Sequence, residues 1–190
     1  MTATRDQIIS TTSGLLETQG YHATGLNQII KESGAPKGSL YYYFPDGKEG
    51  LAAEAVERQG RVVAERIQAG LAAYSEAAEA IRTFINNIAK NVEASGYRSG
   101  GPLTTVALET ATSSERLNET CRAAYQLIQE AFAAKLLECG YAKKRAGQLA
   151  TFITAAIEGG IILSRTNHSA DPLRRVADEV GRLLQAEDSA

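Results

Sequence analysis

The residues with the most chemical content lie between Leu26 and Lys48. Lys37, Gly38 and Ser39 crowd the start of one short apolar-periodic stretch, Tyr41, Tyr42 and Tyr43 occupy its far end, and Lys48 opens the next. A lysine and a hydroxyl beside the free amides of a helix start suit an anion, because orphan N–H groups and the helix dipole both favour negative charge. A cation in a helix's first turn opposes that dipole, so Lys48 either compensates an external phosphate or is simply solvated. The tyrosines advance by about 100° each at 3.6 residues per turn and fan across the circumference. Alone, they read equally well as partly exposed aromatics.

Other chemistry is sparse. His22 and His168 are far apart, and Cys121 and Cys139 have no metal-ligand spacing, so neither metal nor cofactor is expected. The cysteines read as reduced core residues, with redox sensing as the alternative. No nucleophile, base and orienting group converge in the pattern, and the chain is not expected to be an enzyme. At 190 residues, 44% hydrophobic and 22% charged, it can form one large soluble domain or two small ones. The net charge of −2 provides no general attraction for nucleic acid. Only charges that face a phosphate release counterions, however, so position outweighs the total. No signal-peptide core opens the chain, and no apolar run approaches the ~20 residues of a membrane span. The expectation is a cytoplasmic protein with no membrane partner.

Helical periodicity runs nearly throughout, and the expected class is all-α with nine helices. The first, from about Thr4 to Thr18, carries Ile8, Ile9, Leu15 and Leu16 and ends at Gly20. Leu26–Ser33 forms the second, with Thr24 near its start and Gly34 closing it. The third runs from Pro36 or Lys37 to Tyr43, and Pro45 stops it. Asp46 and Glu49 form a capping box for a long fourth helix, whose stripe is Ala52, Val56, Val63 and Ile67. Ile81, Phe84, Ile85, Ile88 and Val92 mark the fifth, and the segment from Ser95 to Pro102 is the clearest breaker. A short helix follows from Leu103 to about Ala111, then one bearing Leu117, Cys121, Ile128, Phe132 and Leu136. Phe152, Ile153, Ile157 and Ile161 lie in the eighth. Asp171 and Pro172 supply the N-cap and first position of the last, whose stripe is Leu173, Val176, Val180, Leu183 and Leu184.

Two short helices separated by Gly34-Ala35-Pro36 have helix-turn-helix spacing, in which the second helix enters the major groove of DNA. Leu40 and Phe44, four residues apart, share the inward face of that second helix. Three segments together resemble the signature of the TetR/AcrR family of transcriptional regulators. They are Gly20-Tyr21 with Thr24, the run Ser33-Gly34-Ala35-Pro36-Lys37-Gly38-Ser39-Leu40-Tyr41-Tyr42-Tyr43-Phe44, and Lys48-Glu49-Gly50-Leu51. The family pattern has one residue fewer between the phenylalanine and the lysine. Pro45-Asp46-Gly47 fills that gap as in the LmrA/YxaF-like branch, which Gly101-Pro102-Leu103, Glu158-Gly159-Gly160 and Asp171-Pro172-Leu173 also resemble.

The resemblance implies a TetR-like architecture: a three-helix DNA-binding domain, residues 1–48, and a helical ligand-binding and dimerisation domain, residues 49–190. It implies a repressor that binds a palindromic double-stranded DNA operator as a homodimer and is released by a small-molecule inducer. Lys37, Gly38 and Tyr41 would face bases, while Ser39, Tyr42, Tyr43 and Lys48 would hold phosphates. Thr24 and Asn27 would approach the backbone or groove edge; family members often carry arginine in place of Asn27. The last two helices would form the dimer interface through Phe152, Ile153, Gly159, Gly160, Leu173, Val176, Val180 and Leu183. The glycine pair, costly in an apolar helix, admits either a partner's helix or one of its own chain. Phe84, Ile88, Val106, Glu109, Tyr125 and Phe152 are candidate pocket residues, each of which core packing explains equally well. Glu109 could meet a cationic ligand or be solvated.

Overall fold

In the computed structural model, which describes residues 3–101 and 103–188, nine helices and no strands form among the described residues. In order they are α1 (Ala3–Ala23), α2 (Leu26–Ser33), α3 (Lys37–Tyr43), α4 (Gly47–Leu71) and α5 (Ala77–Ala94). After them come α6 (Thr104–Thr110), α7 (Glu115–Glu138), α8 (Lys143–Asn167) and α9 (Asp171–Asp188). Pro102, expected to close the breaker after α5, lies outside the described residues.

The chain forms two compact units that do not divide at residue 48. The first takes Met1–Arg61 and Pro102–Tyr125, and the second Val62–Gly101 and Gln126–Ala190. Thus α6 and the start of α7, which the sequence groups with the C-terminal domain, belong to the compact unit of α1, α2 and α3.

Within the first unit, α1 packs on α2, α3 and α6. Its core includes Ile8, Ile9, Leu16, Ile29, Leu40, Phe44, Leu51, Val106 and Leu117, all essentially inaccessible. Burial of such side chains is the main term holding so small a unit together, at about 1.5–3 kcal/mol for each large one. Two ion pairs fasten α1 to α4 above that core: Arg5 with Glu54, and Arg58 with Asp6 at 3.2 Å. The Arg5 guanidinium also lies 5.3 Å from the centre of the Phe44 ring.

Gly20 breaks α1 as expected, but the chain resumes one further turn, Tyr21 to Ala23, beyond it. Its φ of 81° and ψ of −178° fall where only glycine is comfortable. The Thr24 hydroxyl donates to the Gly20 carbonyl at 2.6 Å, securing the kink.

In the second unit α5 packs on α8 and α9, and α8 on α9. Ile81, Ile85, Ala89, Val92, Ile153, Leu173, Ala177 and Leu184 fill the space between them. Phe84 meets Phe132 edge to face, with ring centres 5.9 Å apart. Helix α8 is long and apolar enough to cross a membrane by length and composition, a test that the core helix of a soluble protein also passes, and Glu158 interrupts its apolar run. Its composition follows from two apolar faces. Ile153, Ile157 and Ile161 are buried, while Phe152, Ile162 and Leu163 face outward.

Two cap expectations are corrected. Arg174 N–H donates to Ala170 O, so Ala170 caps α9 and Asp171 is already its first residue, with Pro172 second. Asp171 instead accepts from Arg174 at 3.2 Å, and Ser164 Oγ on α8 accepts the Leu173 N–H. The second concerns Asp46 and Glu49, whose carboxylates engage the start of α7 in place of a reciprocal capping box. Asp46 pairs with Arg116 at 2.8 Å, and Glu49 accepts from Ser114.

Candidate nucleic-acid interface

The turn between α2 and α3 is built from local chemistry. Gly34 ends α2 in the left-handed region at φ 65°, and the buried Ser33 hydroxyl accepts the Ala35 N–H at 3.3 Å. Pro36, extended at φ −57° and ψ 136°, aims the chain into α3, where Ser39 N–H closes the first bond to Pro36 O. Leu40 and Phe44 are buried on the inner face of α3.

The other face is open. Lys37 and Gly38 are exposed, Tyr41 is 48% exposed and Tyr42 80%. Such exposure is large for aromatic side chains, which would otherwise contribute to a core. Tyr43 is half-buried and meets Tyr42 edge to face at 5.1 Å, so the three rings do fan around the helix. Asn27 is exposed on α2, and Ser39 is half-buried.

Thr24 differs from its expected role. It is 1% exposed, and its hydroxyl is committed to Gly20, so the side chain serves the kink and is turned away from any outer partner. Lys48 is half-buried, with Nζ 4.2 Å from the centre of the Tyr21 ring and donating to His22 O at 3.5 Å. Burial lowers the Lys48 pKa from its ordinary value, and the negative charge of Glu109 opposes that shift. Tyr21 is pushed upward, first by burial and then by Glu49.

Glu109 has a partner in the same unit. Its Oε2 accepts the His22 N–H at 2.9 Å, so the carboxylate faces the end of α1. The other expected pocket residues are divided between the units: Val106 and Tyr125 in the first, Phe84, Ile88 and Phe152 in the second. Val106 is fully buried, and Phe84, Ile88 and Tyr125 are half-buried. Phe152, 51% exposed, lines an open groove of about 220 Å³ on the outer side of α8 and α9, with Ala156, Arg175, Val176, Glu179 and Val180.

Within one chain the expected dimer residues divide in two. Ile153, Leu173 and Val180 are buried within their own chain, and Gly160 receives Leu173 and Val176 of α9. Gly159 has open space beside it, and Phe152, Val176 and Leu183 retain accessible surface. Sequence reasoning missed the outward Ile162 and Leu163. The signal was available, since a helix apolar around its whole circumference needs a second covering surface. It also missed the contacts of Tyr21, His22, Ser114 and Arg116, whose partners are distant in the chain.

Comparison with known proteins bears on the family and the fold. Residues 8–55 match the model of bacterial regulatory proteins of the tetR family, and residues 77–179 match the C-terminal domain of LmrA/YxaF-like transcriptional regulators. The chain is 46% identical to the uncharacterised HTH-type transcriptional regulator YxaF of Bacillus subtilis over 95% of both chains. It is 40% identical to the HTH-type transcriptional regulator LmrA of the same organism, over 95% of this chain and 96% of that one. A TetR transcriptional regulator from Legionella pneumophila superimposes with a TM-score of 0.84 at 21% identity, covering 97% of this chain and 98% of that one. A regulatory protein TetR from Rhodobacter sphaeroides gives 0.84 at 22%, covering 95% and 98%. The chain belongs to the TetR family of helix-turn-helix transcriptional regulators, in its LmrA/YxaF-like branch.

Proposed function

We propose that this regulator is a repressor that binds a near-palindromic operator as a homodimer and releases it when a small molecule binds the C-terminal domain. The observation that carries the reading is the division of α3: Leu40 and Phe44 are buried, while Lys37, Gly38, Tyr41 and Tyr42 are open on the other side. Lys37, Gly38 and Tyr41 are assigned to base edges in the major groove. Ser39, Tyr42, Tyr43 and Lys48 are assigned to phosphates, with Asn27 at the groove edge. A cytoplasmic location is part of the same reading.

The homodimer reading rests on the outward apolar row of α8, where Phe152, Ala156, Gly159, Ile162 and Leu163 lie at helical spacing. Two-fold pairing of α8 and α9 with a second copy covers that row and presents two reading helices to two half-sites. An inducer acts by favouring dimers whose reading helices no longer match the groove spacing.

The test is binding to a duplex from the DNA upstream of the protein's own gene, followed across salt concentration. A steep fall in affinity with salt and protection of a symmetric site are expected. Binding that is indifferent to salt, or a footprint without symmetry, refutes the reading.

A further inference from the structure

Glu109 and Lys48 both contact the backbone of His22. Glu109 Oε2 takes the His22 N–H at 2.9 Å, and Lys48 Nζ donates to the His22 carbonyl at 3.5 Å. The Glu109 carbonyl lies a further 3.3 Å from His22 Nε2, and the Lys48 ammonium sits over the Tyr21 ring. The carboxylate reaches this turn because residue 20 is glycine. A Cβ there would be 2.9 Å from Glu109 Cδ and 2.7 Å from Thr105 Cγ2, and would overlap Glu109 Oε1. The φ of 81° at Gly20 is a second reason for glycine, since L side chains rarely adopt it. All these residues belong to the first compact unit.

We propose that Glu109 is a positioning residue for DNA binding: from α6 it fixes the Tyr21–His22 turn and thereby holds the Lys48 ammonium where it meets a backbone phosphate. This rests on the assignment of Lys48 to a phosphate. The turn is the seat of the ammonium, since the Tyr21 face and the His22 carbonyl hold it on one side. A turn that loses its anchor to α6 releases the lysine into the ensemble of solvated rotamers. Its phosphate contact then requires ordering a long side chain at the moment of binding. Simple electrostatics predicts the reverse sign. Removing a carboxylate near a DNA-binding surface should strengthen attraction to a polyanion.

The experiment measures affinity of the full-length protein for the upstream duplex between about 50 and 200 mM salt. Glu109→Ala is expected to bind about tenfold more weakly and to lose about one unit of salt slope per protomer, the signature of one lost phosphate contact. Lys48→Ala should show the same slope loss, and the double variant little beyond it, because both remove one interaction. Glu109→Gln keeps an acceptor for the His22 N–H and should retain most of the affinity. Glu109→Asp, one methylene shorter, withdraws the acceptor and should not, so the result does not depend on the alanine variant folding. Unfolding midpoints of each variant separate weaker binding from a weaker fold. Affinity that is unchanged or increased in Glu109→Ala, or losses that add in the double variant, overturn the proposal while leaving the reading head intact. A Lys48→Ala variant with an unaltered salt slope overturns both.

Discussion

Gly160 of α8 accommodates Leu173 of α9, whose Cδ2 would lie 2.9 Å from a Cβ at position 160, while the adjacent Gly159 faces open space. The two glycines therefore answer differently to the same substitution. Gly160→Ala pushes a methyl group into Leu173 and Val176, and overpacking of a filled core costs about 1–3 kcal/mol. Alanine returns up to about 1 kcal/mol in helix propensity, leaving a net loss of roughly 1 kcal/mol. Denaturant unfolding of the Gly160 variant should show it.

Gly159→Ala meets no neighbour within its own chain. Its effect should therefore appear in self-association. If Gly159 seats a partner helix, the variant dimerises more weakly, while any dissociated chains unfold at slightly higher denaturant. Phe152→Glu and Leu163→Glu place charges on the same outward row and should yield monomers by light scattering at micromolar concentration. Persistent dimers in both charged variants would place the interface elsewhere.

On α3 the expected outcomes divide by function. Lys37→Ala removes an exposed group assigned to base edges and should reduce the preference for the upstream duplex over a scrambled duplex. A bidentate base contact is worth about 1–3 kcal/mol of discrimination, or roughly five- to 150-fold in the affinity ratio. Tyr43→Ala should weaken both duplexes alike, since a phosphate contact carries no sequence information. A Tyr43 variant that alters only the ratio would reverse the two assignments.

The elements that sequence reading recovered are those specified by neighbours in the chain. Gly34, Pro36 and Pro45 bound the two short helices, and the i, i+4 spacing of Leu40 and Phe44 identifies the buried side of α3. The exposed tyrosines follow from that same geometry. Side chains whose partners are remote were illegible. Nothing near Glu109 indicates that its carboxylate meets His22, and nothing near Asp46 indicates Arg116. Gly159 and Gly160 differ by one residue and hence by about 100° of helix. Which of them faces α9 is decided by the placement of α9 alone. The same holds for Ile153 and Phe152, one buried and the other outward. The outward row of α8 was illegible for a similar reason, because two apolar faces were read as one stripe.

Cys121 offers a prediction about both reactivity and pH. It is buried in α7, and burial pushes its thiol pKa up to about 11. The nucleophile is the thiolate, so the folded protein should hold this sulfur inert toward a thiol reagent at neutral pH, with the less buried Cys139 reacting first. The sign for stability follows from proton binding. Between the ordinary thiol value of 9.0 and about 11 the unfolded chain releases this proton, while the folded chain retains it. The contribution is therefore present in full below pH 9 and is lost as pH rises toward 11. Lysines and tyrosines titrate in the same window, so the informative quantity is the difference between wild type and Cys121→Ser. The wild-type unfolding midpoint should fall more steeply above pH 9 than that of the serine variant, which has no proton to release there. Parallel curves, or modification of Cys121 at the rate of Cys139, would show the thiol to be open to solvent.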